Sequence, residues 1–134
     1  MANQVHILVF DNGTGFASLL TERLEQYGYT VNTATNYNET FNGLEEAPCH
    51  VAVLDMNMPG LGGLQQIKVL RATFPGVKVI MLTDDNPKET MDCLRAGAFD
   101  YQTKPVHVDI LTAVIRNAAE PVPLYGKKPP CRIS

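Results

Sequence analysis

The sequence predicts an α/β fold, a doubly wound parallel sheet of five strands with helices on both faces. Three observations predict it. Short apolar runs alternate with helical patterns five times over short connections. Two runs, Val51 to Leu54 and Val77 to Leu82 (the latter broken only by Lys78), read as strands buried on both faces. Polar residues stand where these runs stop, and Gly or Pro follows within a few positions.

Taken in order, residues 4–10 form the first strand, ending at Asp11-Asn12-Gly13. Phe16, Leu19, Leu20, Leu24 and Tyr27 give residues 14–27 a helical spacing, which Gly28 stops. Residues 29–34 alternate as a half-buried edge strand does, and 37–46 form a second helix despite Asn38, Asn42 and Gly43. The central strand runs into Asp55, and Pro59-Gly60 turn the chain. The next helix, 63–73, carries Leu64, Ile67, Val69 and Leu70 on its apolar side and breaks at Pro75-Gly76. The strand from Val77 ends at Thr83-Asp84-Asp85, and Pro87 opens a helix that Gly97 closes. A short strand at 99–103 leads to Lys104-Pro105, and residues 107–118 form the last helix with Ile110, Leu111, Val114 and Ile115 as its core face. Right-handed crossovers and a switch point beside the first strand give the flavodoxin-like order 2-1-3-4-5.

Composition excludes several classes. The 134 residues suit one domain, residues 1–118, followed by a proline-rich linker or disordered tail, 119–134. Cys49, Cys93 and Cys131 are too scattered for a disulfide framework or a zinc site, and His6, His50 and His107 are equally scattered. No apolar run spans a membrane and no signal peptide opens the chain, so the expected location is cytoplasmic. Residues 1–118 carry 8 Lys and Arg against 13 Asp and Glu, a net −5 that argues against direct nucleic-acid binding.

In such a sheet the carboxyl ends of all strands face one edge. That edge receives Asp11 and Asn12 from the first strand, Asp55 from the third, Thr83 from the fourth and Lys104 from the fifth. Each has a task if the substrate is a phosphoryl group. Oxygen ligands with two carboxylates suit Mg²⁺. A carboxylate can hold phosphorus as an acyl phosphate, and an amine and a hydroxyl stabilise the transferring oxygens.

On Ile-Leu-Val-Phe-Asp (7–11), Leu-Asp-Met-Asn-Met-Pro-Gly (54–60), Val-Ile-Met-Leu-Thr (79–83) and Ala-Gly-Ala-Phe-Asp-Tyr-Gln-Thr-Lys-Pro (96–105), the sequence resembles receiver domains of bacterial two-component response regulators over residues 4–118. The resemblance implies a signalling phosphoacceptor that assists only its own phosphorylation and dephosphorylation. It implies Asp55 as the residue charged by a histidine kinase or phosphotransfer protein, with an effector domain or a second copy as further partner. It also implies Mg²⁺ held by Asp11, Asn12, Asp55 and the carbonyl of Asn57. Thr83 and Tyr101 match the family's switch pair, and Lys104 matches its lysine, followed by Pro105, often through a cis bond.

The chain departs from that pattern at three places. The second acid of the pocket is Asn12, which keeps an oxygen but loses the charge, so Mg²⁺ binding and phosphorylation should weaken. Asp84 stands where a small residue is usual. It would repel a phosphoryl group, replace the charge lost at Asn12, or merely cap the next helix together with Asp85. An acid near Gly62 is missing. The alternative reading is a pseudo-receiver that binds proteins without taking phosphate. Asn12-Gly-Thr-Gly-Phe16 as a flavin-phosphate cradle is disfavoured by Asp11 at its mouth. A P-loop lacks its Gly-Lys-Ser/Thr, and an aspartyl phosphatase would want a second acid at Asn57.

Overall fold

The runs pair as one parallel sheet in which the three central strands are covered on both faces and the two edge strands are partly exposed. The computed structural model describes residues 4–120. Its elements are β1 (His6–Phe10), α1 (Phe16–Glu25), β2 (Thr30–Ala34), α2 (Tyr37–Glu46), β3 (Val51–Asp55), α3 (Gly63–Thr73), β4 (Lys78–Thr83), α4 (Pro87–Ala96), β5 (Asp100–Thr103) and α5 (Val108–Ala119). The sheet order is β2-β1-β3-β4-β5, every pair parallel, as the sequence predicts.

Alternate residues of the central strands feed two separate cores. Leu8, Ala52, Leu54, Val79 and Met81 pack with Leu44, Ile67, Leu70 and Cys93 of α2, α3 and α4. Ile7, Val9, Val51, Val53, Ile80 and Leu82 pack with α1 and α5 on the other face. The buried stripe of α1 is Ala17, Leu20 and Leu24, and that of α5 is Leu111, Thr112, Ile115 and Ala118. Three residues expected in the apolar stripes stand outside them: Leu19, Tyr27 and Ile110 are 44%, 49% and 52% exposed. The stripe of α1 runs through Ala17, Leu20 and Leu24, which leaves Leu19 beside it, and the Arg116 guanidinium covers the Tyr27 ring at 4.0 Å.

Local chemistry sets the helix starts. The side chain of Asn36 accepts the Glu39 N–H and caps α2, and Gly43 faces the Leu8 side chain, where an added Cβ would stand 3.7 Å from Cδ1. Asn86 caps α4 by accepting the Glu89 N–H at 3.1 Å, ahead of Pro87 in the first turn. Asp84 and Asp85 therefore do not provide the side-chain cap of α4. No helix among the described residues is long and apolar enough to cross a membrane. Ala119 closes α5; the remainder of the expected tail, 121–134 with Cys131, lies outside the described residues.

Candidate functional site

The site grows from the end of β3. All five positions of that strand are buried, and Asp55 is only 5% exposed. A carboxylate so placed needs partners. Its Oδ1 accepts the Asn57 N–H at 2.8 Å, closing a local turn, and the Lys104 ammonium at 2.9 Å. The sheet register brings Lys104 there. Asp55 lies opposite Leu82, the Met56 N–H donates to the Leu82 carbonyl, and the Lys104 N–H donates to the Thr83 carbonyl at 2.8 Å. Lys104-Pro105 is cis. Both of these bonds use Oδ1, and neither engages Oδ2.

Asp11 and Asn12 reach the same cleft from β1. The Asp11 N–H donates to the Ala34 carbonyl, and its Oδ1 accepts the Gly13 N–H at 2.8 Å. Asn12 Oδ1 accepts both the Thr14 N–H at 3.1 Å and the Thr14 hydroxyl at 2.7 Å. The loop's own side chains thus take two N–H groups that a phosphate cradle would need, which removes the flavin reading. The cleft holds about 510 Å³ and is lined by Asp11, Asn12, Thr35, Asp55, Asn57 and Lys104 among others. Thr35 was absent from the expected set. It directly follows β2, so the same strand-end reasoning that found the other residues also points to it.

Thr83 is fully buried, and its Oγ1 has no hydrogen-bond partner among the described residues. Tyr101, opposite Met81, lines a groove with Leu94 and Ile110 between α4 and α5. The structure therefore gathers Asp11, Asn12, Asp55, Asn57 and Lys104 around one cleft, places Thr83 at the strand end beside them, and sets Tyr101 on the neighbouring face.

Asp84 lies on the lysine side of Asp55. Its Oδ2 accepts the Asn57 Nδ2–H at 2.9 Å, and its Oδ1 is 3.7 Å from the Lys104 ammonium. It does not line the cleft shared by Asp11 and Asn12. It does meet two residues that line this cleft, Asn57 and Lys104.

No group of three or more His, Cys, Asp or Glu placed to hold a metal occurs among the described residues. The cleft offers two carboxylates, an amide oxygen and a backbone carbonyl. Hard oxygen donors of this kind fit Mg²⁺, with less negative charge than a set of three carboxylates would bring.

A family model described as the response regulator receiver domain matches residues 7–116. The chain is 36% identical to the uncharacterized transcriptional regulatory protein YkoG of Bacillus subtilis over 114 residues, 84% of this chain and 50% of that protein. It spans about a quarter of further curated relatives such as the transcriptional regulatory protein ZraR of Escherichia coli, to which it is 27% identical over 87% of its own length and 26% of theirs. Among solved structures, the CheY-like response regulator receiver domain protein of Methanospirillum hungatei superposes with a TM-score of 0.77 at 27% identity, over 87% of this chain and 94% of that one.

Proposed function

The chain belongs to the response regulator receiver domain family of two-component systems, and from that premise we propose that it takes a phosphoryl group from a histidine kinase or phosphotransfer protein onto Asp55. The observation that carries the proposal is the buried Asp55 carboxylate in the lining of the cleft, with Oδ1 held by the Asn57 N–H and by Lys104. In the transfer, Oδ2 attacks phosphorus, the new O–P bond forms, and the P–N bond to the donor imidazole breaks. Lys104 is close enough to move from Asp55 to the phosphoryl oxygens as their charge develops. Mg²⁺ would be held by Asp11, Asn12, Asp55 and the Asn57 carbonyl, and would neutralise phosphoryl charge.

The unpartnered Thr83 hydroxyl is available to an oxygen of the phosphoryl group. Its movement makes room for Tyr101 to turn, and the α4–β5–α5 face then changes what it presents to an effector domain or a second copy. The acidic domain acts through such partners in the cytoplasm, and not on nucleic acid directly. The pseudo-receiver reading has two observations of its own: Asp84 shares Lys104, and the Asn12 oxygen is already engaged by Thr14. Mass spectrometry after treatment with acetyl phosphate and Mg²⁺ separates the two. We expect one added phosphoryl group, absent from Asp55→Asn; an adduct that survives this substitution rejects Asp55 as the acceptor.

A further inference from the structure

We propose that Asp84 is a specificity residue, an internal anion that screens small anionic phosphodonors from Asp55 and leaves the site to a protein donor. The inference rests on Asp55 being the phosphoacceptor.

Lys104 stands between two carboxylates, 2.9 Å from Asp55 and 3.7 Å from Asp84. One ammonium cannot neutralise both, so an incoming phosphoryl group meets a lysine that is already occupied. The Asn57 side chain holds Asp84 in that position at 2.9 Å. The Asn57 backbone is in turn fixed by Asp55 itself, at 2.8 Å. Asp84 is therefore tied to the rim of the site by two links to the acceptor, although its own side chain is 57% exposed.

A dianion entering from solvent meets this charge at the rim and must take Lys104 from Asp84. A docked protein covers the rim and can bring its own cation or donor to Asp84, which frees Lys104 at the moment of transfer. Like-charge repulsion thus falls on small donors in proportion to their charge.

Two donors make the test. With acetyl phosphate, the Asp55 oxygen forms a bond to phosphorus, the P–O bond to the acetyl group breaks, and acetate leaves. With phosphoramidate, the P–N bond breaks and ammonia leaves, carrying the proton already on nitrogen. The first donor is a dianion and the second carries one net negative charge at neutral pH. The chain has no tryptophan, so intact mass is the direct readout of rate.

In Asp84→Asn the initial rate with acetyl phosphate should rise roughly tenfold at low ionic strength, and with phosphoramidate roughly threefold. The gap should close as salt shortens the Debye length to below about 5 Å. Asp84→Ala, which removes the bond to Asn57 as well as the charge, should follow Asp84→Asn. Equal acceleration of both donors, no salt dependence, or slower reaction in either variant overturns the proposal while leaving Asp55 as acceptor. Absence of any adduct in wild type and both variants overturns the acceptor reading and this inference together.

Discussion

Replacing Lys104 by Met removes the cation that pairs with the buried Asp55 carboxylate and tests how the resting site is held. At 2.9 Å and an effective dielectric constant of about 20, the gross attraction is about 6 kcal/mol. Most of it is offset by desolvation and by the ordering of the lysine, and the lysine side chain is 33% exposed, which screens the pair further. A net coupling of about 1–2 kcal/mol remains. Lys104→Met should destabilise the fold by about 2 kcal/mol, because Asp55 keeps only the Asn57 N–H. Asp55→Asn should change stability by less than about 1 kcal/mol, since Lys104 retains Asp84 and water. The double variant should then be less destabilised than the two single effects added together. Urea unfolding of the four proteins in a cycle, with unchanged m-values, measures the difference. Additivity within about 0.3–0.5 kcal/mol would falsify the claim that Lys104 and Asp55 are energetically coupled in the resting state.

Three further outcomes are expected. Asn12→Asp restores a carboxylate to the metal side of the cleft and should lower the Mg²⁺ concentration for half-maximal phosphorylation roughly tenfold, read by titration against intact mass; identical titrations would mean that the missing charge does not limit binding. Burial pushes the Cys49 thiol up to about 11 from its ordinary value of 9.0. Over that interval the unfolded chain loses the proton before the folded one, so stability falls as pH rises, by up to about 1.4 kcal/mol per pH unit, and Cys49→Ala should lose less stability than wild type over the same range. Beryllofluoride with Mg²⁺, followed by NMR, should shift Thr83 to Lys88, Tyr101 and α5; shifts confined to the Asp55 loop would mean that the pocket is occupied without passing a signal on.

The topology was legible because the three central strands are buried on both faces and because Gly and Pro mark the breaks between elements. The site was legible for a related reason: a parallel sheet puts all its carboxyl ends on one edge, so reading the residue after each apolar run yields Asp11, Asp55, Thr83 and Lys104. The failures are equally local. Leu19 and Ile110 look like core because they are large, yet a helix lying on a sheet can place a small residue such as Ala17 at the contact, and size then misreports the facing side. Asp84, Asp85 and Asn86 are all capable caps, so propensity alone cannot choose among them. Pro87 does choose: proline is favoured at the first helical position, which makes the preceding Asn86 the cap and releases Asp84 for another contact.

That release bears on how the two unusual pocket residues combine. In sequence they look like an exchange, an acid lost at Asn12 and one gained at Asp84, with the pocket's formal charge unchanged. In space their oxygens engage different partners. Asn12 is on the side of Asp11, where an oxygen ligand with less charge holds a cation less firmly, and its oxygen already serves Thr14. Asp84 is on the side of Lys104, where an added carboxylate competes for the ammonium that a phosphoryl group requires. A carboxylate engaged with Asn57 and Lys104 differs in its partners from one at position 12. On the proposed function, the change at Asn12 would weaken metal binding and the change at Asp84 would reduce lysine availability, and each would raise the threshold for phosphorylation. The cation that relieves the first and the partner that relieves the second act at different positions, and each can lower that threshold without the other.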